Sequence, residues 1–163
     1  MGSGKTTLGR MLAAARGTPF VDLDAVVEAG AGASVADIFA REGEAGFRSR
    51  ESAALAALAA SAPEGCVLAT GGGIVESQAA AATLRQFGRI VWLAADPEAC
   101  VARLGAGRAA RPLLAEPAAW RARWNKRENL YRDLADITVC THPDTVEASL
   151  AALRAALDAG PLA

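Results

Sequence analysis

Four short apolar runs, separated by stretches with helical character, constrain the fold of this 163-residue chain more than any other feature. The runs lie around residues 20–23, 66–69, 90–93 and 137–140. Helices are predicted over 6–16, 25–42 in pieces, 46–61, 78–86, 97–104, 117–133 and 145–158. Parallel strands covered on both faces read as continuous apolar runs. Strands that alternate with helices favour a parallel sheet. The sequence therefore predicts an α/β fold, with a parallel sheet covered by helices on both faces, as one domain over 1–163.

Composition and charge exclude several classes of protein. The formal net charge is -1, so no bulk electrostatic attraction to nucleic acid or to an acidic membrane surface is expected. No apolar run approaches the length that spans a bilayer and none reads as a signal peptide, so a cytoplasmic protein is the default expectation. The cysteines, Cys66, Cys100 and Cys140, match no zinc or redox spacing and are expected to be small buried hydrophobes.

The first residues, MGSGKTTLGR, are similar to the end of a phosphate-binding loop. The full pattern is G-x-x-x-x-G-K-[ST], and Gly4, Lys5 and Thr6 supply its last three positions. Glycines allow backbone N–H groups to turn towards phosphate oxygens, and the positive end of the following helix points at the same anion. Lys5 would bridge the β- and γ-phosphates of a nucleotide, and Thr6 would hold Mg²⁺. The string G-x-G-K-T also occurs by chance in unrelated chains, so its position before a helix matters.

Two aspartates follow the first apolar run, in FVDLDAVV. Ligands of parallel sheets bind at the carboxyl ends of the strands, where Asp22 and Asp24 are expected. One carboxylate could serve a metal ion and the other a substrate hydroxyl. Alternatively, the pair only begins the next helix, a role that Asp24 could fill alone as the N-cap.

Two further motifs point to a small anionic ligand. In GFRSRE, Arg48 and Glu51 are three residues apart and can pair on one helix face, either as a surface ion pair or as an anchor for a substrate carboxylate. In CVLATGGGIV, a buried strand runs directly into Gly71, Gly72 and Gly73. A flexible turn needs only one glycine, so three of them suggest that a ligand approaches the backbone closely.

The last motifs contribute arginines. Residues 105–117 carry Arg111 and little apolar periodicity, which is typical of a lid and also of a plain surface loop. Arg127 lies four residues before Tyr131 on a predicted helix. It belongs to a basic cluster that a solvated helix face explains equally well: Arg121, Arg123, Lys126 and Arg127.

Taken in order, the motifs G-S-G-K-T, D-x-D, F-R-x-x-E, T-G-G-G and R-P-L-L, then an arginine four residues before a tyrosine, resemble those of the shikimate kinase family. The resemblance implies transfer of the γ-phosphate of ATP to the 3-hydroxyl of shikimate. It also implies a three-layer P-loop kinase fold with strand order 2-3-1-4-5, a substrate-binding region at about 25–60, a lid at about 105–117, and a monomer. Two alternatives stay open: a kinase of another small molecule such as gluconate, and a ligand-sensing module without catalysis.

The resemblance also assigns the residues of the nucleotide end. The phosphates would be held by Gly2, Ser3, Gly4, Lys5, Thr6 and Thr7. Thr6 would also bind Mg²⁺, with Asp22 helping through water. Arg111 would arrive with the lid to stabilise the transferring phosphoryl group, and Arg103 would lie against adenine.

At the substrate end, the resemblance assigns Asp24 to a shikimate hydroxyl, where it orients or deprotonates the attacking oxygen. Arg48 and Arg127 would grip the shikimate carboxylate, with Glu51 fixing Arg48, and the backbone of glycines 71–73 would contact shikimate. Lys5, Asp24 and Arg111 are thus the expected catalytic residues.

The family's first strand and the first glycine of its loop would lie before Met1. The chain as written is therefore expected to be incomplete, with an assigned start that lies too late. Roughly five buried apolar side chains would be missing, worth about 1.5–3 kcal/mol each, which is comparable to the whole stability of a domain. Poor ATP binding and a poorly stable sheet are expected of the chain in this form.

Overall fold

The computed structural model describes residues 2–62, 65–104, 117–141 and 145–159. Within these ranges the helices are α1 (Lys5–Arg16), α2 (Leu23–Ala31), α3 (Val35–Ser61), α4 (Gln78–Phe87), α5 (Pro97–Leu104), α6 (Pro117–Leu134) and α7 (Val146–Asp158). The strands are β1 (Phe20–Asp22), β2 (Val67–Ala69), β3 (Val91–Ala94) and β4 (Ile137–Cys140). A 3-10 turn, Ile74–Glu76, follows β2. The predicted elements are confirmed, with ends that differ by a few residues at most; the predicted lid lies outside the described residues apart from its last position, Pro117.

The strands form two separate parallel pairs. In the first, β1 lies beside β2 with Phe20 opposite Val67. In the second, β3 lies beside β4 with Val91 opposite Ile137. The expected order 2-3-1-4-5 counts a first strand that would lie before Met1, so β1 to β4 correspond to its strands 2 to 5. The two pairs agree with its 2-3 and 4-5 parts, and no strand in the described part of the chain lies between β2 and β3.

Apolar side chains at helical spacing cover these strands. In α1 the buried positions include Leu8 and Leu12, which pack with Val139 of β4 and Leu153 of α7. A second cluster joins the start of α2 to α3, α4 and α6 through Leu23, Leu55, Ile74, Ala80, Leu84 and Leu134. The clusters fix the helices against the strand pairs and leave the carboxyl ends of β1 and β2 accessible.

Helix α3 is divided by a break at Gly43. This residue has φ 68° and ψ -173°, which are not helical values, and a positive φ favours glycine over any residue with a Cβ. The two predicted helical stretches, 25–42 in pieces and 46–61, already placed a break here. The break redirects the chain so that the segment after it, which carries Arg48 and Glu51, runs beside the turn at residues 71–73, here called the glycine turn.

The cysteines correct one expectation. Cys100 is buried, but Cys66 is only half-buried and Cys140 is exposed. In β4 alternate side chains face opposite ways, so Val139 enters the core while Cys140 points outward. Among the described helices, none combines the length and the apolar character that would let it cross a membrane.

Candidate active site

A cavity of about 590 Å³ opens at the carboxyl ends of β1 and β2. It lies between the first turn of α1, the start of α2, the second part of α3, the glycine turn and α6. The predicted site residues that line it are Gly2, Gly4, Lys5, Thr6, Thr7, Asp22, Asp24, Arg48, Gly71, Gly72, Gly73 and Arg127. Residues from five separate parts of the sequence thus face one space.

The first turn of α1 forms one end of this cavity. Gly4 adopts the left-handed conformation (φ 85°) immediately before the helix, and no acidic residue neutralises the first turn. The positive end of α1 is therefore directed at any anion held there. The Lys5 ammonium lies 3.5 Å from the Ser3 hydroxyl. Ser3 itself is buried and lines a smaller neighbouring cavity, so its side chain does not face the main one.

Asp22 connects the first turn of α1 to the start of α2. Its Oδ2 accepts a hydrogen bond from the Thr6 hydroxyl at 3.1 Å, and its Oδ1 accepts one from the backbone N–H of Asp24 at 3.1 Å. Asp22 is therefore the N-cap of α2, so the alternative in which Asp24 caps this helix alone is wrong. Strand β1 continues through Asp22, which leaves Asp24 in the first helical turn with its side chain available to the cavity.

The Thr6 hydroxyl and the Asp22 carboxylate fit a magnesium ion. Both are oxygen ligands of the kind that Mg²⁺ prefers, and Mg²⁺ usually needs only one or two protein ligands beside water and phosphate. The described residues contain no group of three or more His, Cys, Asp or Glu side chains that could enclose a metal by themselves.

Two carboxylates meet beside Gly71. A Cβ built on this glycine would lie 2.6 Å from Glu51 Oε1 and 3.4 Å from Asp24 Oδ1. Both oxygens are buried and lack a hydrogen-bond partner in the described structure. A buried polar atom without a partner costs free energy. Because Asp24 lines the cavity, its oxygen is placed to accept a hydrogen bond from a ligand.

The environment raises the pKa of both acids. Burial is the main cause for Asp24, and the negative charge of Asp22 adds to it, while Lys5 and Arg48 act in the opposite direction. Burial likewise raises the pKa of Glu51 more than the neighbouring Arg48 lowers it, and Asp24 adds to the rise. A raised carboxyl pKa at a cavity is typical of groups that exchange protons with a substrate.

Arg48 is held against the glycine turn. Its Nη1 donates to Glu51 Oε2 at 2.6 Å, its Nη2 lies 3.4 Å from Glu44 Oε1, and its guanidinium lies 5.2 Å from the centroid of the Phe47 ring. The guanidinium occupies the space that a Cβ on Gly73 would fill. The predicted pair of Arg48 and Glu51 therefore joins a half-buried guanidinium to a buried carboxylate, unlike an ordinary surface ion pair.

Arg127 approaches the same region from α6. Its Nη2 lies 2.7 Å from Glu76 Oε2 and 4.0 Å from Glu44 Oε1. One oxygen of Glu44 thus lies near both Arg48 and Arg127, so the two predicted anion-binding arginines face the same part of the cavity.

Sequence reasoning missed several residues of this end of the site. Glu76 pairs with Arg127 across 51 positions, a separation at which no local sequence pattern operates. The Tyr131 hydroxyl donates to the Gly72 carbonyl at 2.5 Å and so ties α6 to the glycine turn. Arg123, one helical turn before Arg127, also lines the cavity, and its buried Nη1 has no hydrogen-bond partner.

The basic cluster therefore divides into two faces. The solvated-face interpretation holds for Arg121 and Lys126, whose side chains are 59% and 69% exposed. It is wrong for Arg123 and Arg127, which line the cavity. Of the remaining predicted residues, Arg103 lies on α5 and its side chain is not described, and Arg111 lies outside the described residues.

Comparison with known proteins decides the family. A sequence profile for shikimate kinase matches residues 1–158. The chain belongs to the shikimate kinase family. The shikimate kinase of Symbiobacterium thermophilum is 47% identical over 145 residues, which are 86% of this chain and 82% of that protein.

Two solved shikimate kinases confirm the fold. The enzyme from Acinetobacter baumannii, solved in complex with shikimate, superposes with a TM-score of 0.88 at 34% identity, covering 98% of this chain and 90% of that one. The enzyme from Aquifex aeolicus superposes with a TM-score of 0.80 at 30% identity, covering 97% and 92%. The predicted α/β P-loop kinase fold and the predicted enzyme class, an ATP-dependent kinase, are confirmed. The comparisons support shikimate kinase function and neither of the two alternatives.

The packing at Gly73 makes one prediction about shikimate kinase activity. In Gly73→Ala the new methyl group would overlap the Arg48 guanidinium and displace it from Glu51. We expect the KM for shikimate to rise by about tenfold or more, because Arg48, the predicted anion-binding group, loses its position, while the KM for ATP changes little.

Gly30→Ala is the matched control, since a Cβ at Gly30 meets nothing within 4 Å. Steady-state kinetics with each substrate varied in turn makes the measurement. Equal effects of the two substitutions, or a Gly73→Ala enzyme with an unchanged KM for shikimate, would contradict the proposed role of this packing.

Proposed function

We propose that this protein binds shikimate in the 590 Å³ cavity, with its carboxylate at Arg48 and Arg127, and transfers the γ-phosphate of ATP to its 3-hydroxyl. The observation that carries the proposal is the arrangement of charge around the cavity. Two guanidinium groups lie near the same oxygen of Glu44, the loop with Lys5 lines the same cavity, and two unpartnered carboxylate oxygens lie beside Gly71. A small anion with adjacent hydroxyl groups complements this arrangement.

The carboxylate of shikimate would replace Glu44 as the partner of both arginines. Glu44 is 43% exposed, and its distances to the two guanidinium groups, 3.4 and 4.0 Å, are long for ion pairs. These contacts are therefore weak and easily exchanged. The pair of Arg48 with Glu51 stays in place during this exchange, because Arg48 contacts Glu51 through Nη1 and Glu44 through Nη2. The anion-binding end is therefore preformed, which reduces the entropic cost of binding.

Asp24 is the residue best placed to act on the attacking hydroxyl. Its free Oδ1 faces the glycine turn, and its raised pKa makes it a stronger base than an ordinary aspartate. In the proposed reaction this oxygen accepts the proton of the 3-hydroxyl while the hydroxyl oxygen forms its bond to the γ-phosphorus and the bond to ADP breaks. Gly71 is needed here because a Cβ would fill the space in which the hydroxyl must approach Asp24.

The phosphate end is assigned to the first turn of α1. Backbone N–H groups of Gly2, Gly4 and Lys5, with the positive helix end, would hold the β- and γ-phosphates, and the Lys5 ammonium would balance their charge. Thr6 and Asp22 would hold Mg²⁺. When bound, this ion supplies charge neutralisation at the β- and γ-phosphate oxygens. The proposal also assigns Arg111 to the transferring phosphoryl group and Arg103 to the adenine, as the family resemblance implies, and keeps the expectations of a monomer in the cytoplasm.

The direct test is a coupled assay of ADP release with shikimate, with gluconate and with no acceptor. We expect turnover with shikimate alone, because its ring holds the carboxylate and the 3-hydroxyl at a fixed separation, whereas open-chain gluconate must lose conformational freedom to place the same groups. Formation of shikimate 3-phosphate would be verified by mass spectrometry. Turnover with gluconate, or ADP release that does not depend on an acceptor, would contradict the proposal.

Asp24→Asn tests the proposed base. The substitution keeps the size of the side chain but removes its ability to take a proton, so we expect kcat to fall by about 10²–10⁴-fold, with the KM for ATP within about twofold of the wild type. Asp158→Asn is the matched control, because Asp158 is an exposed carboxylate at the end of α7 that pairs with Arg16 and does not line the cavity. A kcat within about twofold of the wild type in Asp24→Asn would show that Asp24 is not the base.

The raised pKa of Asp24 predicts an acid limb in the pH profile. Protonated Asp24 cannot accept a proton, so kcat should fall as the pH decreases through an apparent pKa above the ordinary value of 3.8. Circular dichroism at each pH would show that the protein stays folded. The limb should be missing from the residual activity of Asp24→Asn, and a wild-type rate that stays constant down to about pH 4 would contradict the assignment.

A further inference from the structure

Glu76 contacts Arg127 and Lys126, and no sequence motif predicted these contacts. It is the last residue of the 3-10 turn Ile74–Glu76, and its backbone N–H donates to the carbonyl of Gly73 at 3.1 Å. The turn that exposes the glycine backbone to the cavity therefore also fixes the position of the Glu76 side chain.

Both oxygens of Glu76 are engaged by cations of α6. Oε2 accepts from Nε of Arg127 at 3.1 Å and from Nη2 of the same residue at 2.7 Å. Oε1 lies 3.0 Å from the ammonium of Lys126. The Arg127 side chain is only 14% exposed and that of Glu76 24% exposed, so water screens this contact less than it screens an ordinary surface pair.

The geometry leaves a defined part of Arg127 for a ligand. A guanidinium has five N–H donors in one plane, and Glu76 takes the edge formed by Nε and Nη2. The Nη1 group and the second hydrogen of Nη2 remain on the side away from Glu76. Two donors of one guanidinium converge on a single oxygen, Oε2, which limits the rotation of the guanidinium more than one contact would.

Lys126 compensates for the charge of Glu76. Alone, a carboxylate behind Arg127 would neutralise that arginine and weaken its attraction for an anionic substrate. With Lys126 on the other oxygen, the group of Glu76, Lys126 and Arg127 keeps a net positive charge. Lys126 is 69% exposed, so it can provide this charge without facing the cavity.

We propose that Glu76 is a positioning residue for substrate recognition: it orients Arg127 towards the carboxylate of the acceptor, while Lys126 preserves the positive charge. The inference rests on the proposed function, since it needs an anionic acceptor at Arg127. It adds a determinant of specificity that acts through Arg127 and has no contact with the reacting atoms.

Glu76→Gln is the central variant, because glutamine keeps the size of the side chain and loses the paired, charged acceptor. We expect the dissociation constant and the KM for shikimate to rise by about tenfold, because a less well oriented Arg127 makes a weaker charge-assisted hydrogen bond to the shikimate carboxylate. We expect kcat and the KM for ATP to stay within about twofold. Glu128→Gln is the matched control, because Glu128 pairs with exposed Arg132 on the same helix at 3.0 Å.

A neutral ligand separates positioning from general structural damage. The uncharged amide of shikimate cannot use the orientation of Arg127 in the same way, so Glu76→Gln should weaken its binding much less than that of shikimate. Equal losses for the acid and the amide would overturn the proposal. Tighter binding of shikimate by Glu76→Gln would also overturn it, since Glu76 would then be a competitor for Arg127.

A double-mutant cycle tests the role of Lys126. Lys126→Met should by itself weaken shikimate binding, because Glu76 loses its compensating charge, and this loss should become smaller when Glu76→Gln is also present. Additive effects would overturn the proposed group of three.

Binding is followed by the fluorescence of the tryptophans, since Trp124 lines the cavity, so the measurement does not depend on turnover. A wild-type protein that binds shikimate without phosphorylating it would contradict the proposed function. The ratio of the shikimate dissociation constants of Glu76→Gln and the wild type would then still decide the role of Glu76. A wild-type protein that does not bind shikimate would overturn both.

Discussion

The pairing of one buried carboxylate determines the geometry of the substrate end. Glu51 is 1% exposed, and a charge so far from water must be paired or it destabilises the fold by several kcal/mol, about 3–5 when one partner of such a pair is removed. Arg48 provides the pairing, and it can reach Glu51 only because Gly73 has no side chain. Helix α3, the glycine turn and the arginine are therefore fixed by one requirement, and the cavity is shaped around it.

Charges of opposite sign lie close together at the cavity. Lys5 and Arg48 act on the carboxylate of Asp24, and Arg48 and Arg127 act on that of Glu51. Each cation near a carboxylate lowers the cost of burying both. The proposed ligand would use the same cations and carboxylates, so one arrangement contributes to stability and, in the proposed function, to recognition.

Much of the fold and of the site could be predicted from the sequence because the signals were local. Apolar runs located the strands, and the spacing of Arg48 and Glu51 gave their pairing. The cap of α2 could not be assigned, because the choice between Asp22 and Asp24 depends on where β1 ends, and the two positions differ by less than the precision of a boundary. The partnership of Glu76 with Arg127 had no local signal at all, since it exists only after β2, α4, β3 and α6 have packed. The position of Arg123 in the cavity lining could not be predicted either. The sequence of a basic cluster on a helix does not show which of its side chains face the rest of the protein.

Asp22 gives the molecule a mechanical link between its two halves. One oxygen holds the first turn of α2 and the other holds the hydroxyl of Thr6, so the start of the acceptor-side helix and the loop at the nucleotide side share a single carboxylate. Whatever draws electron density from one oxygen weakens the acceptor strength of the other. The orientation of the Thr6 hydroxyl and the start of α2 therefore depend on the position of the same side chain. A short side chain at the end of a three-residue strand is thus enough to hold the first turns of two helices, α1 and α2, in a fixed relation.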